Sequence, residues 1–305
     1  MTAQRGGPVS RASNRLRRFV TAMVCAGAVA AAPALAEPAL WTIQGRHNRV
    51  YLFGSVHMLG DTDFAFPGSP ESRLGAAYRD AEALIMEVPP GETASPEMLT
   101  ATAARAIDPD GRGLDDLLGD EAAAVHAAAE KRGIDLAPLA PFEPWFASLV
   151  VTVQSAMKQG LAAEHGVEQL VAAAAARDHK PVTGLETADG QLQLFDRLPS
   201  GLQAQLLLKT IEESDEDGAK LDELVDAWKR GDLGALDGLM SQEFEEFPEL
   251  RTSLVVDRNR RWVEQILPLL DDGRDYLIVV GALHLVGADG VPALLLRRGV
   301  RATRH

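Results

Sequence analysis

The sequence predicts an α/β (α+β) protein, with a mixed central β-sheet built from two related strand-helix-strand units and a large helical insertion between them. Three observations carry this expectation. First, one short stretch occurs twice. It reads Val50-Tyr51-Leu52-Phe53-Gly54-Ser55-Val56-His57-Met58-Leu59-Gly60 near the start and Leu277-Ile278-Val279-Val280-Gly281-Ala282-Leu283-His284-Leu285-Val286-Gly287 near the end. Each copy is an apolar run followed by Gly-x-x-His-x-x-Gly, the pattern of a buried strand running out into a glycine-punctuated loop. Second, each copy leads through a helical stretch to another short strand. Third, the chain between them reads as helix for most of its length. With 7 His and 27 Gly in 305 residues, a histidine flanked by Gly at both −3 and +3 is expected by chance roughly 0.05 times. Two occurrences therefore set the histidines apart, although two ordinary strand-to-helix turns, each with a hydrogen-bonded His, would give the same pattern.

Residues 1–36 read as a leader. Arg5, Arg11, Arg15, Arg17 and Arg18 precede an apolar run from Phe19 to Ala31, and Ala34-Leu35-Ala36 supplies small residues for cleavage after Ala36. That is the signature of a secretory signal peptide, and the run is too short and Ala-rich for a good membrane span. The expectation is a periplasmic or secreted protein with no stable membrane span after cleavage and a single domain over 37–305. Loss of five arginines takes the net charge from −14 to −19, which argues against nucleic-acid partners. The only cysteine, Cys25, lies in the leader, so disulfides and thiolate metal sites are excluded from the remainder.

The first element expected after the leader is a hairpin, Leu40–Gln44 and Arg49–Phe53, turning at Gly45-Arg46-His47-Asn48. His47 is expected at the surface. A helix opening at Pro70 and Glu71 leads to the buried strand Ala83-Leu84-Ile85-Met86, which ends in Glu87. An acid closing an apolar strand needs a partner, because an isolated buried charge is costly. A right-handed crossover is expected to put Glu87 beside His57 on one sheet edge. Helices then fill about 92–178, including a buried one from Pro144-Trp145 to Lys158 and one beginning at Gly166-Val167-Glu168. His126 reads as a surface residue, and Glu164-His165 as a cap with an exposed neighbour. The short strand Lys180–Gly184 again ends near an acid, Glu186, which is either a helix N-terminal charge or a site carboxylate. The segment from about 188 to 272 is helical. It carries the acidic stretches 212–217 and 243–247, and its last helix contains Arg258-Asn259-Arg260-Arg261-Trp262. The second motif, a helix from Val291 and a short strand near Val300-Arg301-Ala302 close the chain.

Two histidines and one or two glutamates at strand ends make a donor set suited to Zn, Mn, Co or Fe. A metal with an open position acidifies water, and a nearby carboxylate can serve as base for hydrolysis. The sequence has no H-E-x-x-H, no phosphate-binding glycine loop and no Gly-x-Ser-x-Gly.

Taken together, the first motif after a hairpin, Met86-Glu87-Val88, Pro144-Trp145, Gly184-Leu185-Glu186-Thr187, Arg258-Asn259 and Val280-Gly281-Ala282-Leu283-His284-Leu285-Val286-Gly287 resemble the TraB/GumN (TraB/PrgY/GumN) family, related to the Tiki-type metalloproteases. The resemblance spans nearly the whole chain after the leader. It implies one α/β domain with a helical insertion and, in the Tiki branch, peptide cleavage that depends on a divalent metal such as manganese or cobalt. Carried over, His57, His284 and Glu87 become metal-site residues, with Glu87 the preferred acidic ligand or base and Glu186 the second candidate. Arg258 and Asn259 give electrostatic support near the site, and Gly54 and Gly281 are the structural glycines of the motifs. Glu168 stands where many bacterial members have Asp. The expected activity is a periplasmic hydrolase that depends on a divalent metal (Mn, Co or Zn), most plausibly a peptidase acting on a peptide or protein. The alternatives are a non-catalytic protein binding peptide or haem at the same place, or an accessory factor in envelope or polysaccharide export.

Overall fold

The computed structural model describes residues 37–68, 72–89, 96–214 and 217–305. The expected leader, Pro70 and Glu71 at the opening of the first expected helix, Pro90 and part of the first acidic stretch lie outside these residues; the helix itself is present as Arg73–Asp80.

Six strands form one mixed sheet in the order β4-β3-β5-β2-β1-β6. They are β1 (Leu40–Gln44), β2 (Arg49–Ser55), β3 (Ala83–Met86), β4 (Val182–Gly184), β5 (Tyr276–Gly281) and β6 (Ala302–Arg304). The hairpin forms as expected, with Leu40 opposite Phe53 and Gln44 opposite Arg49. β2, β5, β3 and β4 run parallel, while β1 is antiparallel to both β2 and β6.

β2 and β3, joined through α1 (Arg73–Asp80), are not neighbours, because β5 lies between them and pairs with both. The cause is legible in β5, where all six residues are buried. A strand apolar on both faces is stable only at the centre of a covered parallel sheet. The second unit behaves alike, since β5 crosses over β2 and β1 to reach β6. The two units thus open outward from a shared centre, and the two motif strands lie side by side, with Gly54 opposite Val280 and Ser55 opposite Gly281.

Alternation along the strands sends side chains to two cores. Tyr51, Phe53, Leu84, Met86, Leu277 and Val279 face one core; Val50, Leu52, Ala83, Ile85, Ile278 and Val280 face the other. The chain between β3 and β4 holds α2 (Pro96–Arg105), α3 (Leu114–Leu118), α4 (Ala122–Arg132), α5 (Pro144–Lys158) and α6 (Val167–Arg177). After β4 come α7 (Ala188–Asp196), α8 (Ser200–Glu213), α9 (Asp217–Lys229), α10 (Leu233–Glu243), α11 (Pro248–Arg251), a π-helical turn (Thr252–Val256) and α12 (Asp257–Leu269); α13 (Val291–Arg297) lies between β5 and β6.

The first core is covered by α1, α6, α9 and α10, the second by α12 and α13. A third cluster joins α3, α4 and α5 to α8, so the insertion packs on a helix that follows β4. Trp145, singled out in the sequence, is fully buried at the start of α5. Its indole N–H donates to Glu143 Oε2 at 3.2 Å, and its ring stacks on Phe195. Trp228 of α9 ties the first core to the motif, since its indole N–H donates to the Gly54 carbonyl at 2.7 Å. Burying large side chains of this kind contributes about 1.5–3 kcal/mol each. No helix among the described residues is long and apolar enough to cross a membrane.

Candidate functional site

The four parallel strands end together, and each delivers one of the sequence-predicted residues just beyond its last position. His57 follows β2, Glu87 follows β3, Glu186 follows β4, and His284 follows β5 in the 3-10 turn Ala282–Leu285. The carboxyl ends of parallel strands are where open α/β sheets bind ligands.

Gly281 stands at the meeting point. Its N–H donates to Glu87 Oε1 at 2.7 Å. A Cβ at this position would lie 3.2 Å from Glu87 Oε1 and 3.6 Å from both His57 Nε2 and His284 Cδ2, so the missing side chain leaves open the space that these three residues share. Gly54 serves another purpose. A Cβ there would come within 3.0 Å of the Ala282 backbone, so the first motif needs glycine to let the second approach.

Each imidazole is held by Nδ1. For His284, Nδ1 lies 2.7 Å from Asn259 Oδ1, and the Asn259 amide donates to the carbonyls of Asp289, at 2.8 Å, and His284 itself, at 3.3 Å. With Asn259 Oδ1 able only to accept, Nδ1 carries the proton and Nε2 keeps its lone pair. That lone pair faces Arg258 Nη1 at 3.1 Å. Burial pushes the His284 pKa down to about 3, with the neighbouring cations adding to the effect against Glu87. His57 differs. Its Nδ1 pairs with Glu168 Oε1 at 2.8 Å, and its side chain is 67% exposed. The Glu168 charge pushes its pKa up to about 9, an effect that solvent screens at such exposure.

Arg258, on the first turn of α12, occupies the middle of the carboxylates. Nη2 donates to Glu87 Oε2 at 2.5 Å, Nε to Glu186 Oε2 at 3.0 Å, and Nη1 to the Leu254 carbonyl at 3.0 Å. Leu254 belongs to the π-helical turn, a distortion common at functional sites because it offers carbonyls outside the helical ladder. Burial by itself would raise the Glu87 pKa, but the two imidazoles, Arg258 and the Gly281 amide bring it to about 2. Glu186 accepts from Trp262 Nε1 at 3.0 Å and from Gln191 Nε2 at 3.4 Å, and Arg261 lies 3.5 Å away. The indole of Trp262 also packs against the His284 ring, 4.4 Å between centroids. Glu186 is therefore a half-buried brace for Arg258.

The site contains two residues whose part the sequence did not reveal. Gln191 donates to both Glu87, at 3.0 Å, and Glu186; nothing in its neighbourhood marks it. Glu168 was visible only as the acid after Gly166-Val167. A Cβ on Gly166 would lie 2.1 Å from the His57 carbonyl, so glycine there lets the start of α6 touch the first motif and bring Glu168 to His57. Ser55 also donates to Glu168 Oε1, whereas Glu168 Oε2 is buried without a hydrogen-bond partner.

Against known proteins, the TraB/PrgY/gumN family profile matches residues 39–304. The chain belongs to the TraB/PrgY/gumN family. Two relatives, each named "Uncharacterized protein YbaP", are 28% identical to it: one from Shigella flexneri over 251 residues (82% of this chain and 88% of the relative) and one from Escherichia coli (strain K12) over 255 residues (83% and 90%). No solved structure matches significantly. For this TraB/PrgY/gumN member the match runs from β1 to β6, and so contains every residue of the site.

Whether the site suits a metal is a matter of donor chemistry. Among the described residues no group of three His, Cys, Asp or Glu side chains stands ready at metal-ligand spacing, and Arg258 contacts Nε2 of His284. Yet both histidines are anchored by Nδ1 on an oxygen acceptor, the arrangement that orients metal-binding imidazoles. Glu87 Oε1 lies 3.9 Å from His284 Nε2, and the orphan Glu168 Oε2 calls for a water or an ion beside it. Two imidazoles and a carboxylate are donors of the kind that a borderline divalent cation takes.

Proposed function

We propose that this protein is a divalent-metal-dependent hydrolase whose substrates are peptides, exported by the leader over residues 1–36 and working in the periplasm or outside the cell. The observation that carries the reading is the convergence of His57 Nε2, His284 and Glu87 Oε1 around Gly281, with both imidazoles tethered at Nδ1. His57, His284 and Glu87 would hold the ion, with Mn, Co and Zn the suitable metals. When bound, the metal supplies a water of lowered pKa and polarises a carbonyl.

The remaining work falls to the chain itself. Asn259 fixes His284 in its Nδ1–H tautomer, and Glu168 orients the His57 ring through Nδ1, so the two Nε2 atoms are pre-aimed. Arg258 neutralises two carboxylates and presents a guanidinium where negative charge would build on a carbonyl oxygen. Glu186, Trp262 and Gln191 keep Arg258 and Glu87 in place; they are positioning residues. Glu168 Oε2, the one oxygen among the site carboxylates left without a partner, would accept a hydrogen bond beside His57.

The test is thermal unfolding of the full chain with manganese, cobalt or zinc, run beside His57→Ala and His284→Ala. The wild type should be stabilised and neither variant should respond; a peptide-library digest then compares wild type with Glu87→Gln. An absence of any metal-dependent shift in the wild type would end the hydrolase reading.

A further inference from the structure

A cavity of about 370 Å³ opens beside the site, lined by Arg197, Arg261, Ser253, Gln193, Leu194 and Leu198, together with Gly190. It shares a wall with the carboxylate network. Gly190 precedes Gln191, which bonds Glu87 and Glu186, and Arg261 lies 3.5 Å from Glu186. The size suits one or two residues of a peptide.

Its lining is locally basic. The chain carries a net charge of −14, yet the cavity lining contains two arginines and no acid. Arg197 is exposed and its guanidinium has no hydrogen-bond or ion-pair partner among the described residues, and the Ser253 hydroxyl has none either. The other cations nearest the site are engaged: Arg258 is held by two carboxylates, and Arg105 pairs with Asp189 and Asp196. An unengaged guanidinium and hydroxyl over two leucines match a ligand that has an apolar body and an anionic end. Guanidinium recognises carboxylates by paired, charge-assisted hydrogen bonds.

We propose that this cavity is the specificity subsite of the candidate active site and binds a carboxylate of the peptide, either its C-terminus or an acidic side chain. This rests on the reading of the site as one that takes peptides. Arg197 is the principal contact, Ser253 adds a donor, and Leu194 and Leu198 receive the neighbouring apolar side chain.

Calorimetric titration of the full chain without metal separates the possibilities, because it needs no turnover. The probes are three forms of one N-acetylated pentapeptide of alanine and leucine: a free C-terminus, a C-terminal amide, and the amide with glutamate at the central position. At least one acidic form should bind about tenfold more tightly than the neutral amide. The form that does so identifies which carboxylate is read. Arg197→Glu should abolish the preference and Arg197→Lys should keep part of it, with the unfolding midpoint unchanged because the side chain is exposed. Equal affinity for all three forms, no binding of any, or a preference that survives Arg197→Glu would each overturn the subsite. Carboxylate-dependent binding with no metal-dependent cleavage would leave the subsite standing and remove the hydrolase reading. Cleavage indifferent to both carboxylates would do the opposite.

Discussion

Replacing Gly281 by alanine separates the two reasons for which a glycine can be required. Its backbone sits at φ −50 and ψ 134, a region open to any L-residue, so conformation alone does not call for glycine. The N–H that donates to Glu87 Oε1 would remain. Lower entropy of the unfolded chain should favour the alanine variant by about 0.4–1 kcal/mol. Against this stands a Cβ at 3.2 Å from Glu87 Oε1 and 3.6 Å from His57 Nε2, contacts that a small shift of the carboxylate can relieve. The stability of Gly281→Ala in urea should then lie within about 1 kcal/mol of wild type. The metal response should not survive, because the methyl group fills the space among the three donors. A ligand at a hundredfold excess over its dissociation constant stabilises the folded state by about 2.7 kcal/mol, and at about 2–4 °C per kcal/mol for a domain near this size the wild-type midpoint should rise by roughly 5–10 °C. For the variant the rise should fall below about 2 °C in the same melt, which corresponds to a largely lost site. A full metal shift in Gly281→Ala would refute the argument from space. A loss of more than about 3 kcal/mol without metal, beyond what a surface substitution costs, would show that the glycine is needed by the fold.

Arg258→Met removes the cation between Glu87 and Glu186 while keeping the volume; buried Glu87 then loses its guanidinium partner and Glu186 keeps only Arg261 at 3.5 Å, and urea unfolding should show a loss of about 3–5 kcal/mol. Adding Glu87→Gln to that variant should recover part of it, and strict additivity of the two changes would mean that the pair does not interact. Away from the site, burial would raise the Asp63 carboxyl, but Lys229 and the Gly60 amide hold it below its ordinary value. The folded pKa is thus below the unfolded one, so its stabilisation is complete above the unfolded value near 4 and disappears as pH falls through the folded value. Wild type and Asp63→Asn should differ in unfolding midpoint at pH 7, and the gap should narrow as pH falls below about 4; a gap that stays constant as pH falls would contradict the assignment.

Much of the site was legible because strand ends leave simple marks. A buried run followed by Gly-x-x-His, or an apolar strand closed by an acid, is a local pattern, and His57, Glu87, Glu186 and His284 were all found from such patterns. Arg258 and Asn259 needed the family resemblance, since a polar pair on a helix says nothing alone about what it faces. Gln191 and the role of Glu168 were hidden, because Gln191 reaches Glu87 and Glu168 reaches His57 from over a hundred residues away and neither changes the local periodicity.

The sequence by itself determined the elements: the doubled strand-and-loop motif, the hairpin, the helical insertion, the acid at the end of β3 and the family. Local propensity and apolar periodicity are enough for that, because they act over a few residues. The tertiary structure alone decided that β5 sits between β2 and β3, which makes the two motifs neighbours and removes Glu87 from direct pairing with the strand of His57. It also decided that Glu186 braces Arg258, that Glu168 tethers His57, and that Arg197 and Arg261 share a cavity beside them. These outcomes depend on which faces must be buried and which charges must find partners, and that is settled only when the whole chain packs.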